Sequence, residues 1–140
     1  MLALGFRFPA GRYHATAWGS HVNEGVPEWP PSPWRLLRAL IATAYHKLPE
    51  QVEKPALKTL IERLAAAPAP SYHVPPATAA HTRHYMPTEG EKTTKVFDTF
   101  IAPTPDAELV VQWPVELPEA ERALLSALLQ RLGYLGRAES

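Results

Sequence analysis

Apolar and polar side chains alternate at the beginning of the chain. Every second position from Leu2 to Phe8 is apolar, and Pro9 ends the run. A period of two residues indicates a strand with one buried face. The same reasoning predicts a short strand from Ser71 to Val74 and another from Leu109 to Trp113. These runs predict a sheet whose strands are separated along the chain by helical segments.

Three segments have the apolar period of helices. The first begins at Ser32 and Pro33, because serine suits the N-cap and proline suits the first helical position. The others begin at Pro55 and Pro118. Trp34 lies on the apolar stripe of the first helix, so we expect it in the core. The three stripes are formed, in chain order, by Trp34, Leu37, Leu40, Ile41, Ala44 and Tyr45, by Leu57, Leu60, Ile61 and Leu64, and by Leu124, Leu125, Leu128, Leu129 and Leu132.

Between the second and third helices the pattern predicts an extended hairpin at about residues 79–100. A run from His81 to Pro87 leads to a polar turn, and a strand from Val96 to Ile101 returns from it. His81 and His84 are expected on opposite faces, because side chains three residues apart in a strand point in opposite directions. The hairpin is therefore predicted to be an arm with basic and aromatic side chains and a charged tip.

The predicted elements follow the order strand, two helices, strand, hairpin, strand and helix, and Tyr134 to Ser140 would enter one more strand. This order predicts an α+β fold in a single domain over residues 1–140. The specific prediction from this order is a ferredoxin-like β-α-β-β-α-β plait. Helices would cover one face of the sheet, and the open face of such a sheet is a platform for single-stranded RNA.

The composition narrows the class of protein. The chain has 140 residues, which suits one domain, and 46% of them are hydrophobic, as in a globular chain. The absence of cysteine excludes disulfides, thiolate zinc sites and a cysteine nucleophile. Apolar runs are far shorter than the roughly 20 residues that span a bilayer, and the start has no signal-peptide pattern. We therefore expect a cytoplasmic protein without a membrane partner.

The formal net charge of zero hides an uneven distribution. Residues 1–95 contain 11 Lys and Arg against 7 Asp and Glu, whereas residues 96–140 contain 3 against 7. A positive part within a neutral chain favours a polyanion as partner. Cations bind phosphates and aromatic rings stack on unpaired bases. The loop from Ala10 to Pro31 and the arm combine both kinds of side chain, so they favour binding of single-stranded nucleic acid.

Structural roles remain open for several of these side chains. Trp18 in the loop is as well explained by burial as by base stacking. Arg35 and Arg38 on the first helix would fit a solvated helix face as well as they fit a phosphate contact. The length of the loop favours a functional role, since long loops in compact domains are usually functional.

Catalysis has less support than binding. Of the six histidines only His81 and His84 are close in sequence, no HExxH pattern is present, and no acidic residue lies beside them. We predict no metal and no cofactor. Together with Arg83, Tyr85 and Lys95 these histidines are the right types for metal-independent RNA cleavage, but their spacing does not show that they converge. No Gly-x-Ser-x-Gly, Walker or Gly-x-Gly-x-x-Gly pattern supports acyl transfer, NTP hydrolysis or dinucleotide chemistry.

Long segments of the chain resemble a known family. The runs Gly11–Thr16, His21–Gly25 and Glu28–Leu40 look like the start of the fused subunit of type I-G (formerly I-U) CRISPR effector complexes, of the Csb family in the RAMP superfamily. That subunit joins a Cas-five-like, crRNA-capping part to a Cas-six-like, repeat-cleaving part. The resemblance continues in order through His81–Pro87, Lys92–Phe100 and Gly133–Ser140 and covers almost the whole chain.

The resemblance implies a function and a set of partners. It implies a ferredoxin-like plait of the RRM or RAMP type, cut at its last strand, in which the hairpin is a protruding thumb. It also implies that the protein binds and caps the 5′ handle of crRNA in antiviral defence. It also implies contact with the Cas-seven-like backbone subunit and the large subunit, and with target DNA indirectly. The family's subunit is several times longer, and its repeat-cleaving part lies C-terminal to the matching region. The resemblance therefore assigns no cleavage to residues 1–140.

The residues expected to bind RNA lie in the loop, the first helix, the arm and the closing segment. Three of them, His81, His84 and Tyr85, are minor candidates for catalysis. Two other functions remain open: a metal-independent endoribonuclease that processes CRISPR repeat RNA, and a protein-interaction module without direct RNA readout. The expected RNA-binding residues are Arg12, His14, Trp18, His21, Ser32, Arg35, Arg38, His81, Arg83, His84, Tyr85, Lys92, Lys95 and Arg137.

Overall fold

A computed structural model describes residues 1–21 and 24–140 of the chain. It confirms an α+β fold with antiparallel sheets and three helices in the described residues. None of these helices has the length and apolar character needed to cross a bilayer. Val22 and Asn23, which belong to one segment of the family resemblance, lie outside the described residues. The elements are β1 Leu2–Phe6, α1 Pro33–Lys47, α2 Lys54–Ala66, β2 Ser71–His73, β3 Ala77–Pro87, β4 Thr93–Pro103, β5 Leu109–Trp113 and α3 Glu119–Arg131.

The first sheet contains three strands in the order β1-β5-β2. β5 is antiparallel to both neighbours, with Val111 opposite Leu4 on one side and opposite Tyr72 on the other. β1 and β2 therefore run parallel to each other with β5 between them. Alternate residues of these strands face the core, as the period of two predicts.

One hydrophobic core joins this sheet to the helices. Leu60 of α2 and Leu128 of α3 are fully buried together with Val111 of β5. Burial of such side chains is the main stabilising contribution to the fold. The α3 stripe is only partly enclosed, because Leu125 and Leu128 are buried while its other leucines pack at the margin of the core.

The opposite face of the sheet carries small and polar side chains together with one valine. It presents Ala3 and Gly5 from β1, Gln112 from β5, and Ser71 and His73 from β2, all exposed, and the partly buried Val110 from β5. Among the residues of these three strands, this face has no Phe, Tyr or Trp ring on which a base would stack. Aromatic side chains on which a base could stack must therefore be sought outside this face of the sheet.

The prediction that Trp34 lies in the core is wrong. Trp34 is 58% exposed, and Tyr45, from the same predicted stripe, is also exposed. The buried face of α1 includes Leu36 and Thr43, so it is rotated by roughly 70° from the predicted stripe, at about 100° per residue. Ser32 does cap α1 as predicted, since its hydroxyl accepts a hydrogen bond from the backbone N–H of Arg35.

The prediction of a final strand from Tyr134 to Ser140 is also wrong. The segment has no strand and turns at Gly136, whose φ is +89°. It then packs against the loop that follows β1: the backbone N–H of Arg137 donates to the carbonyl of His14, and the backbone N–H of His14 donates to the Ser140 hydroxyl, both at 2.8 Å. These hydrogen bonds replace those that a strand would make.

Candidate nucleic-acid interface

β3 and β4 form an antiparallel hairpin of two 11-residue strands. They pair along their whole length, from Ala77 opposite Pro103 to Pro87 opposite Thr93. Most hairpin residues are exposed, and only Ile101 and Pro103, near its base, are buried. The outer part of the hairpin therefore projects away from the core and is accessible to a nucleic-acid strand.

One face of the hairpin gathers cations around an aromatic ring. Phe97 lies opposite Arg83, whose guanidinium carbon is 5.7 Å from the centre of the ring. The Lys95 Nζ atom is 4.7 Å from the same centre, and the His81 ring is 5.6 Å away. Tyr85 pairs with Lys95 and is 62% exposed. We call His81, Arg83, Tyr85, Lys95 and Phe97 the hairpin cluster.

The hairpin cluster has the chemistry of a single-strand binding surface. Cations placed over aromatic faces are attracted to them, and rings and guanidinium planes stack on unpaired bases. In the part of the chain that the structure describes, no carboxylate forms an ion pair with Arg83 or Lys95. Both cations can therefore contact phosphates. Phe97 is absent from the sequence-predicted set, because only the strand register shows that it faces Arg83.

The other face of the hairpin is occupied by a charged cluster. Asp98 of β4 lies 3.1 Å from the His14 Nε2 atom and 3.1 Å from the Arg137 Nη1 atom. The Glu139 Oε1 atom lies 2.8 Å from His14 Nδ1, and His84 Nε2 lies 3.7 Å from Asp98. We call His14, His84, Asp98, Arg137 and Glu139 the His14 cluster. It joins the loop after β1, the hairpin and the closing segment.

The expectation that His14 contacts RNA needs correction. His14 is only 4% exposed, and both of its ring nitrogens face carboxylate oxygens. Neither nitrogen is available to a phosphate or a base. Arg137 is similarly engaged with Asp98, although its side chain is partly exposed. The role that the structure gives to both residues is to fix the closing segment on the hairpin.

The three minor catalytic candidates do not converge. His81 contacts Phe97 on one face of the hairpin, whereas His84 contacts Asp98 on the other, which confirms the predicted opposition of the two histidines. The His84 Nε2 atom also lies 3.0 Å from the Thr82 hydroxyl. Within residues 1–21 and 24–140 no three potential ligands come together as a metal site.

The pKa of Glu139 gives the His14 cluster a pH dependence. Burial is the largest single influence and would raise this pKa, but a backbone hydrogen bond, His14 and Arg137 together outweigh it and lower the pKa below 4.5. A lowered pKa contributes stability above the unfolded value that is lost as the pH falls through the folded value. We expect wild type to lose more unfolding free energy than Glu139→Gln between pH 7 and acid pH, measured by urea denaturation. Parallel losses in both proteins would contradict this assignment.

The remaining predicted residues lie in the loop, on α1 and at the hairpin tip. The Arg12 guanidinium lies 4.6 Å from the centre of the Phe100 ring, at the base of the hairpin. Trp18 is 89% exposed, so its side chain is not part of the core. His21 and Lys92 are exposed. Trp18, Ser32, Arg35 and Arg38 come together along one groove beside α1.

Arg35 is held in place by a buried carboxylate. Its Nε donates to the Glu28 Oε2 atom, and its Nη2 donates to the carbonyl of Thr16 at 3.0 Å. The same Glu28 oxygen accepts from the Tyr13 hydroxyl and from the Ser32 backbone N–H. Burial, followed by the charge of Glu28, raises the pKa of Tyr13 above its usual value, so the hydroxyl stays a donor. Glu28 therefore ties the loop to the start of α1.

Comparison of the chain with models of protein families, with curated proteins and with solved structures gives no match.

Proposed function

We propose that this protein is an RNA-binding subunit of a type I CRISPR surveillance complex that binds and caps the 5′ handle of crRNA. The observation that supports this most directly is the hairpin cluster, in which Phe97 is surrounded by His81, Arg83 and Lys95 on an exposed face. Aromatic and guanidinium planes accept unpaired bases, and the cations accept the phosphates between them. A single-stranded handle offers both groups.

The strand arrangement supports the ferredoxin-like part of the proposal. β1 and β2 are parallel, separated by the antiparallel β5, and linked through α1 and α2. The split β-α-β unit of ferredoxin-like folds has the same strand order and directions, which supports the proposed fold. In this interpretation the β3-β4 hairpin is the thumb inserted between β2 and β5, and a further strand would pair with the edge of β1 opposite β5.

The same proposal includes protein partners. A capping subunit contacts RNA through one surface and its neighbours through others, so the Cas-seven-like backbone subunit and the large subunit would adjoin this domain. Target DNA would be contacted only through the assembled complex. The separation of His81 from His84 makes repeat cleavage by these residues the weaker alternative.

Removal of the two cations of the hairpin cluster tests the proposal. For Arg83→Ala plus Lys95→Ala we expect weaker binding of repeat-derived single-stranded RNA. The slope of log affinity against log salt should decrease by about 1.4, since each lost phosphate contact releases roughly 0.7 counterions from a single strand. Fluorescence anisotropy over a salt series measures both quantities.

The matched control is Lys58→Ala plus Arg122→Ala, which removes the same charge from exposed positions on α2 and α3. Equal affinities and slopes in the two double variants would count against the hairpin as an RNA contact.

Incubation of the wild-type protein with repeat RNA in EDTA tests the endoribonuclease alternative. We expect the RNA substrate to remain intact.

A further inference from the structure

A groove of about 450 Å³ lies between α1 and the segment from Leu132 to Gly136. Its floor includes Ala39 and Ala42, whose small side chains leave room above the helix. The volume falls within the roughly 300–1,000 Å³ typical of small-molecule and cofactor sites. The hairpin residues are not among those that line this groove, so it is a separate surface from the hairpin cluster.

Three aromatic rings line the groove and are exposed. Trp18 is 89% exposed, Trp34 58% and Tyr134 52%. They come from three separate parts of the chain: the loop, the first turn of α1 and the closing segment. Exposed large apolar side chains gathered in one concavity mark a binding site more often than isolated ones do. Flat rings at this site favour a flat ligand.

The groove is also positively charged. Arg38, His46 and Lys47 line it from α1, and the Arg38 guanidinium carbon lies 5.7 Å from the centre of the Trp34 ring. Among the described residues that line the groove, Glu28 is the only one with an acidic side chain, and its charge is already paired with Arg35. A ligand in the groove therefore meets rings and uncompensated cations together.

Lys47 crosses from the helix towards the closing segment. A Cβ atom added to Gly133 would lie 2.9 Å from the Lys47 Nζ atom, so the ammonium group rests against that glycine. Two cations consequently stand at separate points of the groove, Arg38 beside Trp34 and Lys47 beside Gly133. Each of these cations can form a charge-assisted hydrogen bond with a negatively charged phosphate group.

We propose that this groove binds an unpaired nucleotide of an RNA strand, with the base stacked on Trp34 and its phosphate contacted by Arg38, while Lys47 contacts a neighbouring phosphate of the same strand. The inference rests on the proposed function for the source of the nucleotide, and it adds a second subsite apart from the hairpin cluster. Base–aromatic stacking tolerates any base, so the subsite would read the presence of an unpaired base more than its identity.

The test uses the complete chain and three probes: a short single-stranded repeat-derived oligoribonucleotide, a nucleoside monophosphate and inorganic phosphate. For Trp34→Ala we expect oligoribonucleotide affinity to fall about 5- to 150-fold, the effect of losing one base–aromatic stack. Trp34→Phe should restore most of the affinity. Tyr45→Ala is the matched control, because Tyr45 is an equally exposed ring on α1 that does not line the groove.

The outcomes separate this subsite from the proposed function. If Arg83→Ala plus Lys95→Ala weakens binding but Trp34→Ala behaves like Tyr45→Ala, the groove proposal is overturned and the RNA-binding proposal stands. If neither variant differs from its control, both are overturned. Saturable binding of the monophosphate that Trp34→Ala abolishes, without an effect on the oligoribonucleotide, identifies a free nucleotide and overturns the RNA source. Binding of inorganic phosphate alone, with no response to the oligoribonucleotide or the monophosphate, overturns the proposal as well.

Discussion

Gly136→Ala is expected to release the closing segment from the body of the protein and to lower its stability by about 2–4 kcal/mol, since left-handed backbone and overpacking each cost roughly 1–2 kcal/mol or more. The φ of Gly136 is +89°, a conformation that side chains rarely adopt. A Cβ atom there would lie 2.6 Å from the carbonyl oxygen of His14 and 3.2 Å from the Ala15 Cβ atom. The nearest obstacle is backbone, so it cannot rotate away.

Urea denaturation measures the global loss, and limited proteolysis detects local release of the segment. Two glycines serve as controls. Gly11→Ala has φ of +69° but open space around the added atom, so it isolates the backbone cost. Gly133→Ala meets only the flexible end of Lys47. If Gly136→Ala is no less stable and no more readily cleaved than these two variants, the proposed close packing on His14 is wrong.

Glu28→Ala is expected to destabilise the protein by about 2–4 kcal/mol, because removing a buried charged acceptor leaves its donors without a partner. The Glu28 side chain is 12% exposed and accepts from three donors. Tyr13, one of them, is completely buried and would keep an unpaired hydroxyl. Arg35 would lose the carboxylate that sets its position in the groove.

Glu28→Gln keeps an acceptor oxygen and should lose less stability than Glu28→Ala. Glu62→Ala provides the surface reference, since Glu62 forms an exposed pair with Lys58 at 3.7 Å and such pairs contribute less than about 1 kcal/mol. The comparison uses the unfolding curves of the wild-type protein and of these three variants. A loss in Glu28→Ala as small as that in Glu62→Ala would show that Glu28 does not organise the loop.

Local patterns predicted most of the elements. Alternation identified β1 and β5, and the pair Ser32-Pro33 identified the start of α1, because these signals depend on neighbouring residues alone. The orientation of α1 was not predictable in the same way. Whether Trp34 or Leu36 turns inward is decided by the helices and sheet that α1 meets, and a stripe of apolar residues allows more than one rotation.

The candidate site also has features that the local sequence predicts and features that depend on the tertiary fold. The basic and aromatic content of the hairpin is visible in the sequence, but the position of Phe97 opposite Arg83 depends on the register of two strands. His14 looks like a surface cation in the sequence, yet its partner Glu139 lies 125 residues away. Tyr134 acquires its place in the groove only because the closing segment folds back across α1.

The His14 cluster has a thermodynamic consequence for the hairpin. Asp98 holds the closing segment through Arg137, and it directly follows Phe97, whose ring belongs to the opposite face of the same strand. Linkage between two binding events is reciprocal. If RNA bound to the Phe97 face stabilises the hairpin position in which Asp98 contacts Arg137, docking of the closing segment must stabilise RNA binding by the same free energy. RNA on the Phe97 face of β4 and the closing segment on the Asp98 face would then stabilise each other through two adjacent residues of one strand.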